Sequence, residues 1–185
     1  MKTLIFNGSP RKNGNTSQLV ATLQKKLSGE VKVVTAYDCD VKPCIDCRYC
    51  WKNPGCAIHD GMQAIYDDIQ EADNIVIASP TYFTELSGQL LAVMSRLQTY
   101  WCAKYLRKEE PVQKKKRGGI IIVRGGAGEL TKGIGTAKVL LGDINARDIA
   151  GIVFADDSDS TPAAARDDIQ KAITDLADSL NEKRP

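Results

Sequence analysis

Apolar residues along this chain follow two alternating rhythms. Short unbroken runs recur at residues 4–6, 75–78, 120–123 and 149–154. Runs of that kind, without polar alternation, predict strands of a parallel sheet covered on both faces. Val31, Val33 and Val34 alternate in part, which suits a strand at a sheet edge. Between these runs the spacing changes to that of helices. Leu19, Leu23 and Leu27 share a stripe, and Met62, Ile65, Tyr66 and Ile69 follow the i, i+3, i+4, i+7 pattern. Leu90, Met94 and Leu97 predict a third helix, Ala137, Leu140, Leu141 and Ile144 a fourth, and Ile169, Ile173, Leu176 and Leu180 a fifth. Five strand–helix repeats predict one α/β domain over residues 1–185, a doubly wound five-stranded parallel sheet with helices on both faces. Right-handed crossovers give the strand order 2-1-3-4-5.

That order makes strands 1 and 3 neighbours at the topological switch point, where ligands bind beyond the carboxyl ends. The loop leaving strand 1 reads Gly8-Ser9-Pro10-Arg11-Lys12-Asn13-Gly14-Asn15-Thr16-Ser17 and opens a helix. Unpaired N–H groups and the positive end of the helix dipole make such a helix start an anion site. Arg11 adds a fork suited to phosphate, and Ser9, Thr16 and Ser17 add hydroxyls. A nucleoside-triphosphate loop needs Lys directly after its second glycine, where Asn15 stands here. The dinucleotide fingerprint G-x-G-x-x-G is absent as well. A terminal monophosphate such as that of FMN remains. The loop after strand 3 reads Ser79-Pro80-Thr81-Tyr82-Phe83-Thr84, followed by Ser87-Gly88-Gln89-Leu90. The loop after strand 4, Arg124-Gly125-Gly126-Ala127-Gly128-Glu129, has glycines that permit close approach to a flat ring.

The first two loops resemble those of the flavodoxin-like NAD(P)H-dependent FMN reductases and their relatives, the iron–sulfur flavoproteins. Specific motifs carry the resemblance from Met1 to about Arg124, and beyond that it is one of general architecture. It implies that Ser9, Arg11, Asn15, Thr16 and Ser17 hold the FMN phosphate. It also places Pro80, Thr81, Tyr82, Phe83 and Thr84 against the isoalloxazine ring, with Gly125 and Gly126 nearby. Pro80 has no N–H, so Thr81 to Thr84 supply the candidate backbone donors. The implied reaction is ping-pong: NAD(P)H reduces the flavin and leaves, and a quinone, flavin, azo or nitro compound takes its place. The protein needs no nucleophile of its own, and His59 is its one histidine. Relatives form dimers or tetramers. The aromatic segment from Tyr100 to Val112, expected as a connection, suits such an interface.

Charge changes little in this picture. A net charge of +2 gives no field for nucleic acid or membrane. It also speaks against a dedicated flavodoxin-like carrier, which is usually strongly acidic. No leader or membrane-spanning run is visible, so a cytoplasmic setting is expected, where clustered cysteines suggest metal or redox chemistry. Four of the cysteines are clustered as Cys44-x2-Cys47-x2-Cys50-x5-Cys56. Overlapping C-x-x-C spacings suit an iron–sulfur cluster better than zinc. The spacing and the preceding Pro43 match the compact motif of iron–sulfur flavoproteins, which implies a 4Fe–4S cluster fed by a ferredoxin-like donor. Relatives that act as simple FMN reductases keep much of this segment, including a tryptophan like Trp51, so both readings stay open. Cys102 is read as a packed thiol and Cys39 as a bystander or substitute ligand. The acidic run Asp156-Asp157-Ser158-Asp159-Ser160 is expected to face solvent and end in a helix cap.

Overall fold

The computed structural model describes residues 1–126 and 131–182. Five parallel strands form the sheet: β1 (Lys2–Asn7), β2 (Glu30–Thr35), β3 (Asn74–Tyr82), β5 (Arg117–Val123) and β6 (Asp148–Ala155). Their order is β2-β1-β3-β5-β6. This is the expected 2-1-3-4-5 pattern, with one addition: β4 (Glu85–Leu86) pairs antiparallel with the end of β3 and makes a short hairpin.

The unbroken apolar runs divide their side chains between two cores. Leu4, Phe6, Ile75, Ile77, Ile120 and Ile122 pack with α3 (Met62–Glu71), α4 (Gly88–Met94) and α6 (Thr131–Asp143). Ile5, Val76, Ala78, Ile121 and Val123 pack on the other face with α1 (Asn15–Lys26) and α7 (Asp167–Asn181). Alternation along each strand therefore feeds both faces, which is why no polar residue interrupts the runs. β2 lies at an edge, as its partial alternation predicts.

Two local expectations change. The helix expected over Leu90, Met94 and Leu97 breaks into α4, a 3₁₀ turn (Ser95–Leu97) and α5 (Gln98–Tyr105). Ser95 Oγ donates to the Ala92 carbonyl at 2.6 Å, a back-bond that competes with the helical ladder. The aromatic segment expected as a connection thus begins as helix. Tyr100 is buried edge-on against Tyr66, and Trp101 pairs with Tyr105 on the exposed side. Residues 42–60 carry only one turn of helix, α2 (Tyr49–Lys52). Among the described residues, no helix is long and apolar enough to cross a membrane.

Candidate functional site

The phosphate-type loop is held by its own side chains. Ser9 Oγ accepts from Arg11 N at 3.2 Å and donates to Arg11 O at 3.0 Å, while Ser17 Oγ donates to the same carbonyl at 2.9 Å. Asn7 supports both, accepting from Ser9 N and donating to Ser17 Oγ. The hydroxyls of Ser9 and Ser17 thus shape the loop. Gly14 caps α1 with no side-chain hydrogen bond. The first-turn N–H groups, which no carbonyl four residues back reaches, therefore lie at a cleft that Gly14, Asn15 and Thr16 line.

The loop after β3 is stitched to this one. Ser87 Oγ donates to Gly8 O at 2.7 Å, and Ser87 N donates to Ser79 Oγ at 2.9 Å. Gly8 N donates to Ala78 O at 2.8 Å. A Cβ on Gly8 would lie 2.8 Å from Ser87 Oγ and 2.9 Å from Leu90 Cδ2, so this close approach requires glycine.

The resulting cleft has a volume of about 240 Å³. It brings together Ser9, Arg11, Asn15, Thr16, Pro80, Thr81, Tyr82 and Gly125 of the residues expected from sequence. Ser17, Phe83, Thr84 and Gly126 do not line it. Phe83 and Thr84 form the hairpin tip with φ of 52° and 67°, and Phe83 is fully exposed. Ala127, Gly128 and Glu129 lie outside the described residues.

Sequence reasoning missed the wall made by the loop after β6. Ser158 is buried, and its N–H and hydroxyl both donate to Arg124 O, at 3.0 and 2.8 Å. Asp159 lines the cleft and its N–H donates to Gly125 O. Asn15 spends its amide here, donating to Ser158 O and accepting from Ala163 N, so its side chain frames the cleft. The signal was topological: this loop also leaves the carboxyl edge of the sheet. The run from Asp156 to Ser160 therefore does not merely face solvent, and it does not cap α7. Arg166 occupies that position, without a side-chain cap bond.

A second, small cavity, of about 20 Å³, is lined by Cys44, Cys47, Cys50 and Cys56 together. Cys50 Sγ lies 3.6 Å from Sγ of the buried Cys102. Burial and that neighbour push the Cys50 thiol up to about 12. Cys39 does not line this cavity, and its thiol is also raised by burial. No group of three or more His, Cys, Asp or Glu among the described residues is placed to hold a single metal ion. A cubane takes one thiolate at each iron, so four sulfurs around one cavity suit a cluster in donor chemistry better than one ion.

The family model for NADPH-dependent FMN reductases matches residues 1–161. An iron–sulfur flavoprotein of Methanocaldococcus jannaschii is 35% identical over 99 residues, covering 52% of this chain and 51% of that protein. One from Archaeoglobus fulgidus is 30% identical over 132 residues, covering 70% of this chain and 57% of that protein. The chain spans about half the length of the curated relatives it matches. In fold, it is similar to an NAD(P)H:quinone oxidoreductase from Methanothermobacter marburgensis, with a TM-score of 0.65 at 15% identity over 97% of this chain and 92% of the other. A strand–loop–helix turn at the switch point of a 2-1-3-4-5 sheet and a family match over residues 1–161 agree: the chain belongs to the NADPH-dependent FMN reductase family.

Proposed function

We propose that this protein is an FMN-dependent oxidoreductase that takes electrons from NAD(P)H and passes them to a small acceptor such as a quinone, flavin, azo or nitro compound. The cleft at the carboxyl ends of β1 and β3 carries the reading, because it combines a helix N-terminus, Arg11 and a wall from Pro80 to Tyr82. Bound FMN would supply the hydride and electron chemistry. The chain's residues bind and orient. The first-turn N–H groups of α1 and Arg11 hold the phosphate, and Ser9 and Ser17 keep Arg11's backbone in place. Pro80, Thr81 and Tyr82 form one wall, and Gly125 and Asp159 form the other. The reading also gives the protein a cytoplasmic place and a second copy as partner.

The four-cysteine cavity favours a second reading, an iron–sulfur flavoprotein that receives single electrons from a ferredoxin-like donor. Cys44, Cys47, Cys50 and Cys56 would then hold a 4Fe–4S cluster. Anaerobic purification followed by iron, sulfide and flavin analysis separates the two. One FMN per chain with NAD(P)H oxidation in the absence of iron supports the first reading. About four irons per chain supports the second. Protein that binds neither FMN nor iron refutes both.

A further inference from the structure

The cysteine segment, residues 42–60, has almost no regular structure of its own, yet it is fastened along its length by one short stretch of chain. Ser95 Oγ accepts from Cys44 N at 2.9 Å, and Thr99 Oγ1 donates to Gly55 O at 2.8 Å. Arg107 donates to Cys50 O. Between them, Arg96 reaches both ends of the segment at once. Its Nη1 donates to Lys42 O at 2.9 Å and to Asp60 Oδ2 at 2.8 Å, and its Nη2 donates to Ile58 O at 2.8 Å. The Arg96 side chain is fully buried, and that of Asp60 is 5% exposed.

A buried guanidinium is a costly way to fasten a loop, since replacing a buried ion pair with apolar groups is often neutral or stabilising. Its placement gives it a further use. Arg96 contributes to the wall of the cavity that the four cysteines line. Its Nε–H is buried with no hydrogen-bond partner, whereas its other contacts all go to the two ends of the cysteine segment. Thiolates gathered around a metal group form an anionic assembly, and N–H donation to the sulfurs of such a group stabilises its reduced form.

We propose that Arg96 is the positioning residue of the four-thiol cavity: it closes the cysteine loop by clasping residues 42, 58 and 60, and it reserves one buried N–H for the anionic group the thiols hold. The second half rests on the iron–sulfur reading above; the first half does not. Arg96 takes no part in the FMN cleft, so flavin binding reports the fold independently.

The test uses the full chain in two variants, Arg96→Lys and the double replacement Arg96→Met with Asp60→Leu. The double variant removes both charges and so avoids stranding a buried carboxylate. In metal-free, reduced protein, the alkylation of each cysteine by iodoacetamide is followed by peptide mass. The exposed Cys47 serves as internal reference. Alkylation of Cys44, Cys50 and Cys56 is expected to accelerate tenfold or more in the double variant, with FMN affinity unchanged within twofold. Lysine is expected to restore little protection, because it lacks the fork that spans the two ends. Unchanged alkylation with intact FMN binding overturns the clasp. Loss of FMN binding in the double variant also overturns it, because Arg96 would then serve the whole fold. After reconstitution with ferrous iron and sulfide, the midpoint potential is expected to be more negative in the double variant than in wild type, a readout that a clasp alone does not move. An unchanged potential overturns the N–H donation. Wild-type protein that takes up no iron and sulfide overturns the iron–sulfur reading, and with it the donation, and leaves the alkylation to decide the clasp.

Discussion

Replacing Arg11 with alanine tests the site where its chemistry is most specific. Arg11 lines the cleft beside the start of α1 and is exposed, and its backbone carbonyl is fixed by both Ser9 and Ser17. The substitution thus removes a charged fork without dismantling the loop. A hydrogen bond to a charged group contributes about 1.5–3 kcal/mol, and solvent exposure favours the low end. A loss of about 1.4–2 kcal/mol weakens binding roughly 10- to 30-fold. The comparison that matters is between FMN and riboflavin, which differ by the phosphate. Titration of metal-free apoprotein, followed by flavin fluorescence, is expected to show the full loss for FMN and less than a twofold loss for riboflavin. Raising the salt concentration should shrink the FMN effect, since screening acts on exposed charges. Equal losses for the two flavins, or no loss for FMN, would refute the assignment of this loop to phosphate.

Three further substitutions probe the surroundings. Gly8→Ala drives a Cβ against Ser87 and Leu90, so it is expected to cost about 1–3 kcal/mol in denaturant unfolding and to weaken both flavins alike; unchanged stability would contradict the close approach. Phe83 and Thr84 hold a two-residue hairpin turn with both φ positive, a geometry that favours Asn-Gly. Replacing the pair with Asn-Gly should raise the melting temperature by a few degrees as about 1–2 kcal/mol of strain is relieved, and a lower value would refute strain at this tip. Lys116 is almost fully buried, and burial lowers its pKa from 10.5 to about 8 although it donates to the Gln70 and Ala72 carbonyls. Above pH 8 the unfolded chain holds a proton there that the folded chain has released, so this group's contribution to stability rises between pH 8 and 10.5, by no more than about 3 kcal/mol. Subtracting the pH profile of Lys116→Met isolates that rise, and a flat difference would count against the lowered pKa.

The parts legible in the sequence were those that local periodicity and local chemistry specify. Ile75 to Ala78 are apolar at every position because both faces of β3 are covered, so the run alone reveals a central parallel strand. Gly8 and Gly14 bracket a loop whose turn Ser9 and Ser17 shape from within, so the local sequence reveals it. What escaped were contacts between segments distant in sequence. Ser158 and Asp159 sit in an acidic run that reads as solvated, and only the docking of Asn15 and Gly125 onto that run makes it a wall of the cleft. Arg96 lies within an apolar helical stripe and resembles one polar position on an amphipathic helix. Its role depends on Lys42, Ile58 and Asp60 arriving from a loop with no periodicity at all. The same division separates the two cofactor sites. The loop proposed to hold the FMN phosphate is one continuous stretch of chain, so its motif and its shape are read together. The cysteine segment is held by hydrogen bonds with side chains of residues 95–107, so motif spacing supplies the thiols but not their arrangement. In another member of this family, a matching cysteine motif is therefore expected to be protected from alkylation in the metal-free state only where a buried donor equivalent to Arg96 fastens both ends of its loop.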